Sequence, residues 1–147
     1  MTLTIIPFLP FELGESNLAR KVVENYKKYE STGEYTYLKE CFASLCFIVE
    51  KHPEKKIVAV NACDAIARKT YDLYKNFYIK AFIANSADSI FRQAQLQPNQ
   101  YWTEECRLNG QMMKRNGFDP LEAAKAGFVQ LPSIEEAKAR GFVTIKV

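Results

Sequence analysis

Hydrophobic residues recur with a helical period over residues 15–30, and no other feature constrains the fold as tightly. At about 100° per residue, Leu18, Ala19, Val22, Val23, Tyr26 and Tyr29 fall on one arc. Arg20, Lys21, Glu24, Lys27 and Lys28 fall on the opposite arc. A helix of this kind is stable when its apolar stripe is covered, so the pattern calls for further helices to pack against it. Gly33 is the predicted stop, because glycine readily takes the left-handed conformation that closes helices.

Further helical segments follow. One is predicted from Tyr37 to Lys51, with Leu38, Phe42, Leu45 and Val49 as its inner stripe. Cys41, Phe47 and Ile48 widen that stripe, and His52-Pro53 ends the segment, since a residue before proline avoids the helical region. The longest predicted helix runs from Glu54 to Ala84. Val60, Cys63, Ile66, Ala67, Tyr74, Phe77, Tyr78 and Ala81 cover a wide arc of it. Asp64, Arg68, Asp72 and Lys75 share the other side at the spacing of a salt-bridge ladder. Ser86 is expected to cap a short helix over 87–94, and residues 96–100 read as a loop. A last long helix is expected from Tyr101 to Asn116, closed by Gly117. Trp102, Leu108, Met112 and Met113 share its inner face, and Glu105 and Asn109 fall within the same arc.

The tail changes character. Asp119-Pro120-Leu121-Glu122 has a helix cap, a first-turn proline and a capping-box glutamate, with Gly127 as the stop. Ser133-Ile134-Glu135-Glu136 opens a second short helix, stopped by Gly141. The pieces LEAAKAGFV and IEEAKARGFV form a near-repeat that differs in length by Arg140. Two copies do not make a solenoid, which needs at least three. Residues 2–6 and 142–147 are rich in β-branched residues and read as strands that pair. The expected architecture is mainly α: a four- to five-helix bundle over 1–117, and a tail over 118–147 packed on it. The tail holds two short helices, and the termini form a small two-stranded β-pair. All 147 residues make one domain.

Composition narrows the function classes. The chain is 48% hydrophobic and includes ten phenylalanines and eight tyrosines, which argues for a packed interior. The formal net charge of +3 is mildly basic and diagnoses no partner. The opening MTLTIIPFLPFELG lacks a basic stretch and is broken by Pro7 and Pro10, so it makes a poor signal peptide. No run approaches the ~20 apolar residues that span a bilayer. Cys41, Cys46, Cys63 and Cys106 show no CxxC spacing and His52 is the single histidine, so no zinc set is expected. The thiols read as reduced, in a cytoplasmic protein.

Candidate chemistry is sparse. A nucleophile needs a base to activate it, and nothing near His52 pairs it with a thiol. Asp64 and Asp72 alternate with cations, as in a solvated ladder. Glu105, beside Trp102 and Met112, is expected to bridge to a lysine or arginine. No GxGxxG or GxxxxGK[ST] phosphate loop is present. The chain is therefore expected not to be an enzyme and to carry no cofactor or metal.

Two binding readings remain. Tyr71, Tyr74, Tyr78 and Phe82 recur at i, i+3, i+7 and i+11, and Trp102 groups with Met112 and Met113. Packed inside, these residues are core; left uncovered, they form a surface for another protein, or for a second copy in a homodimer. Arg20, Lys21, Lys27 and Lys28 form a basic helix face that either lies along nucleic-acid phosphates or is merely solvated. The favoured expectation is a non-enzymatic protein–protein interaction module, an accessory subunit, adaptor or inhibitor. The alternative is a small helical nucleic-acid-binding subunit.

Overall fold

The computed structural model describes residues 16–97, 99–130 and 133–141. The strand pair expected over 2–6 and 142–147 lies outside them. Among the described residues the chain is mainly helical, with α1 (Asn17–Thr32), α2 (Tyr35–Lys51), α3 (Lys56–Tyr71), α4 (Phe77–Gln93), α5 (Gln100–Arg115), α6 (Pro120–Lys125) and α7 (Ile134–Ala139). A single 3₁₀ turn, Pro53–Lys55, links α2 to α3.

The first helix forms as its period demands. Ser16 caps it by accepting from the Ala19 N–H, and Ala19, Val22, Tyr26 and Tyr29 are its buried stripe. Gly33, at φ 71°, ends it and donates its N–H to the Tyr29 carbonyl. The chain then reverses, and α2 packs back along α1, with the Cys41 thiol donating to the Val22 carbonyl at 3.4 Å. Succeeding helices alternate in direction. Asp64 and Tyr71 of α3 meet Trp102 and Asn109 of α5 in the same order, so those two helices run parallel. Lys39 and Cys46 of α2 likewise meet Phe82 and Gln93 of α4 in order. The result is a five-helix up-down bundle, the expected class at its upper helix count.

The long helix expected over 54–84 is two helices. Thr70 donates its hydroxyl to the Ile66 carbonyl at 2.7 Å, a back-bond that competes with the helical ladder. The chain turns at Asp72–Asn76, and the Asn76 side chain accepts from the Tyr78 and Ile79 N–H groups to start α4. The ladder shortens accordingly. Arg68 meets Asp64 at 3.1 Å, but Asp72 faces Lys80 at 3.9 Å and Lys75 is exposed in the turn. The separate helix expected over 87–94 is instead the second half of α4. Ser86 caps nothing there, because its hydroxyl donates to the Phe82 carbonyl one turn back at 2.8 Å. In α5, Leu108 is exposed and Asn109 takes the buried position.

One end of the bundle is closed by rings meeting edge to face. Tyr74 meets Tyr35 at 6.0 Å, Tyr35 meets Phe82 at 5.6 Å, and Phe82 meets Phe128 at 6.3 Å. Phe128 meets Tyr78 at 6.1 Å, and Tyr78 meets Phe118 at 5.9 Å. The Tyr78 hydroxyl accepts from the Asp119 N–H at 2.7 Å and donates to the Gly117 carbonyl at 3.3 Å. This seats α6: its Ala123, and Ala126 at its C-cap, are buried beside Tyr78, Ile79 and Met113. The second near-repeat copy behaves differently, since α7 has no buried residue. Only the first half of the tail is thus seen packed on the bundle.

Asn76→Ala removes both cap bonds of α4 and the 2.8 Å bond from Asn76 to Glu122. It should lower the urea-unfolding free energy by about 1–2 kcal/mol, whereas Ser86→Ala should cost less than about 0.5 kcal/mol. A larger loss at Ser86 than at Asn76 would move the helix boundary back to where the sequence pattern had placed it.

Candidate functional site

A run of interior polar groups forms a seam between α3 and α5. Trp102, fully buried, donates its indole N–H to Asp64 at 2.6 Å. Asp64 also accepts from the Arg68 guanidinium at 3.1 Å. Arg68 in turn lies over the Tyr101 ring, 4.5 Å from its centroid. One turn along, Tyr71 donates to Glu105 at 2.5 Å and accepts from the Asn109 side chain at 2.7 Å. Burial, reinforced by the bond to Glu105, pushes the Tyr71 phenol well above its ordinary range. Glu105 is held by a phenol rather than by the expected lysine or arginine. Arg68 is committed to Asp64, and the nearest cation to Tyr71, Lys80, sits on that ring's face 4.0 Å from its centroid. Among the described residues no buried side-chain nitrogen or oxygen lacks a partner. These groups therefore hold helices together.

The thiols and the histidine stand apart. Cys41, Cys46, Cys63 and Cys106 are free. Burial pushes the Cys41 thiol up to about 12 and Cys106 to about 11, and it raises Cys46 and Cys63 as well. All four are poor nucleophiles near neutrality, because the thiolate is the reactive form. His52 closes α2 and lies 3.6 Å from Glu54, with no thiol beside it. Among the described residues no three His, Cys, Asp or Glu side chains group as a metal set, and no helix is long and apolar enough to cross a membrane.

The aromatic residues singled out by sequence divide between core and rim. Tyr71 and Trp102 lie in the main core, and Tyr78 is buried against α6. Tyr74 is half-buried and donates to the Tyr29 hydroxyl at 3.1 Å. Met112 and Met113 are half-buried, and Met113 packs against the α6 cluster. The four stripe positions are not one helical surface, because the break at Asp72–Asn76 leaves Tyr71 on α3, Tyr74 in the turn, and Tyr78 and Phe82 on α4. Arg20, Lys21, Lys27 and Lys28 are all exposed on one side of α1, with Glu24 among them. Lys28 leans over the Tyr37 ring at 5.8 Å.

The geometry brings forward a place that the sequence reading passed over. An open groove of 330 Å³ runs between the parallel helices α2 and α4. Lys39, Phe42, Ala43 and Cys46 line one side, and Phe82, Asn85, Ser86 and Ser89 line the other. Phe128 closes one end. Both sides repeat at i, i+3, i+4 and i+7, the spacing of a helix face. Phe82 and Phe128 supply apolar wall above the buried Phe42, while alanine and the serines add little bulk. Lys39 stands at the Phe128 end, 5.8 Å from both the Tyr35 and Phe82 ring centroids. It makes no ion pair with a described residue. The periodic signal was present in the sequence, but dividing residues 54–94 between Ala84 and Ser86 broke its register. A second recess, of 530 Å³, is lined by Arg92, Gln97, Gln100, Thr103 and Glu104. Its charges are already answered by neighbours, Arg92 by Asp88 and Glu104 by Arg107.

The sequence matches no protein-family model, and no curated protein or solved structure shows significant similarity to it.

Two outcomes follow from the seam and the thiols. Asp64→Ala and Trp102→Phe should be coupled in a double-mutant cycle by about 0.5–3 kcal/mol of unfolding free energy, and additivity would mean the indole–carboxylate bond does not contribute. Stability should also fall in alkali. The native state keeps its protons on Cys41, Cys46, Cys63 and Cys106 and on Tyr26, Tyr35, Tyr71 and Tyr74, while the unfolded chain releases them from the ordinary thiol and phenol values upward. The raised values therefore give stability that is complete below about pH 8.5 and is progressively lost above it. Urea midpoints measured from neutral pH to pH 11 check this, and a midpoint flat across that range would contradict it.

Proposed function

We propose that this chain is a non-enzymatic protein-binding module, an accessory subunit, adaptor or inhibitor, and that the α2–α4 groove receives the apolar face of a partner helix. One observation carries the reading: the groove offers two helical rows at matched spacing, with apolar walls and a low floor. A helix laid in a groove uses this geometry, reading anchors at i, i+3 or i+4, and i+7. Seven residues of helix span about 10 Å, enough for two turns of a guest. Phe82 and Phe128, both partly exposed, are large anchors of the kind that dominate interface energies. The saturated hydrogen bonding of the α3–α5 seam and the raised thiols support a non-catalytic role, since no group there is poised to attack or to take a proton. Four free thiols support a reducing compartment, the cytoplasm.

The second reading, nucleic-acid binding, has its own observation in the exposure of Arg20, Lys21, Lys27 and Lys28. One experiment separates the two. A photo-crosslinking residue is placed at Ser89, and in a second sample at Arg20, and the native-host extract is irradiated at two salt concentrations with and without nuclease. The groove reading expects a discrete protein adduct at Ser89 that survives nuclease and high salt and is lost in Ser86→Trp, which fills the floor. Adducts confined to Arg20 and removed by nuclease would replace it with phosphate binding, each lost contact also flattening the salt dependence.

A further inference from the structure

We infer that Asn116-Gly117 is a site of spontaneous covalent modification, at which the Gly117 nitrogen closes on the Asn116 carboxamide and the resulting isoaspartate unseats α6. The inference does not depend on what occupies the groove. It rests on a contrast between two identical dipeptides placed in different surroundings.

One pair, Asn109-Gly110, lies within α5, and the other, Asn116-Gly117, follows its last turn. In both, the attacking nitrogen belongs to a residue without a Cβ, so no side chain stands in its way. Asn109 is buried, and its carboxamide nitrogen donates to the Tyr71 hydroxyl and to the Glu105 carbonyl, each at 2.7 Å. Gly110 is part of the helix, so ring closure there requires α5 to unwind. Asn116 and Gly117 are both exposed.

The Gly117 nitrogen is also unengaged. Three other left-handed glycines return their N–H to the helix they close: Gly33 to Tyr29 at 2.7 Å, Gly127 to Ala124 at 3.0 Å and Gly141 to Lys138 at 3.0 Å. Gly117, at φ 79°, donates to no described residue. Nothing lies within 4 Å of the place a Cβ would take on it, so a five-membered ring has room. Asn116 is held through the Met112 carbonyl, by its own N–H at 3.0 Å and by its carboxamide at 2.8 Å. Bonds at an exposed helix end open at little cost, and the carboxamide then turns toward the Gly117 nitrogen.

The chemistry needs only water. The Gly117 amide loses its proton to hydroxide, and its nitrogen bonds to the Asn116 Cγ. The carboxamide C–N bond breaks, and the leaving nitrogen takes a proton from water and departs as ammonia. Water then opens the cyclic imide at one of its two carbonyls. Opening at the side-chain carbonyl gives aspartate; opening at the main-chain carbonyl gives isoaspartate, whose chain runs on through the former side chain.

Isoaspartate lengthens the main chain by one atom directly before Gly117. The Gly117 carbonyl accepts from the Tyr78 hydroxyl at 3.3 Å, and that hydroxyl accepts from the Asp119 N–H at 2.7 Å. These two bonds fix the link between α5 and α6. Displacing Gly117 breaks them and takes α6 off Tyr78.

The test ages the full chain at neutral and at mildly alkaline pH. Peptides are mapped by mass spectrometry at intervals, with electron-transfer fragmentation to tell isoaspartate from aspartate. Asn116 should lose its carboxamide about tenfold faster than Asn109 or more, because Asn109 reacts only when α5 opens, and the rate should rise with hydroxide. In urea the two rates should converge. Asn116→Gln, whose ring would be six-membered and slow to close, should stop the change at this position. Hydrogen exchange reads the consequence. The isoaspartate fraction should lose protection at the Ala126 and Phe128 amides, which donate to the Glu122 and Ala123 carbonyls. Asn116→Asp, with the same charge but no added chain atom, should keep that protection. Equal rates at the two pairs in the folded chain, or an Asn116 that stays unmodified, overturn the inference. So does an isoaspartate fraction in which Ala126 and Phe128 remain as protected as before.

Discussion

The carboxamide of Asn76 sets the geometry that the other elements inherit. Its oxygen accepts from the first N–H groups of α4, and its nitrogen donates to Glu122 of α6 at 2.8 Å. One side chain thus ends the turn after α3, starts α4 in the opposite direction and ties down the helix that closes the bundle. Without that reversal α4 would continue away from α2 and there would be no groove. The turn contains neither proline nor glycine, so the break depends on local hydrogen bonding: Thr70 draws its hydroxyl bond from the preceding turn, and Asn76 offers the next turn an immediate cap.

Packing then divides the interior into two kinds of contact. Toward one end, aliphatic side chains of α2, α3 and α4 fill the core with Leu45, Ile48, Ile66, Ile83 and Ile90. Toward the other, aromatic rings take over and meet edge to face, a geometry that suits the opposed charge of ring edge and ring face. The tyrosines there bring hydroxyls into the interior, and each needs a partner. Tyr35 donates to the Ala126 carbonyl at 3.2 Å, Tyr74 to Tyr29, and Tyr78 to Gly117. Two of these partners belong to the α5–α6–α7 region, so the satisfaction of buried hydroxyls is also what draws the first half of the tail onto the bundle. Gly127 completes that docking: at φ 85° it tolerates a backbone that a side chain would strain, and a Cβ there would fall 2.9 Å from the Lys39 ammonium nitrogen.

Periodicity in the sequence made the helical class legible, and with it α1, α2, α5 and the caps at Asp119 and Ser133. Those signals are local: a stripe of apolar residues, a capping oxygen, a left-handed glycine. The course of 54–94 was not legible in the same way. Its apolar arc continues smoothly through Tyr74, and the residues that break it, Thr70 and Asn76, act through side-chain bonds that periodicity does not register. The misplacement at Ser86 has a related origin, because serine both caps helices and sits within them when its hydroxyl turns back to a carbonyl. Glu105 and Asn109 were legible as polar residues on an apolar face. Their partner Tyr71 lies 34 and 38 positions away, a distance at which no local pattern speaks. The groove failed for a similar reason, since it needs α2 and α4 side by side in parallel.

The physical contrast between α6 and α7 decides which half of the tail packs on the bundle. Both are six-residue helices with a side-chain cap and a left-handed glycine just beyond. Neither is long enough to stand alone, and α6 is held because tyrosine, methionine and alanine bury one side of it. In the second near-repeat copy Glu136 stands where α6 buries Ala123, and Ile134 is exposed as Leu121 is in the first copy, so the surface that seats α6 has no equivalent contact with α7.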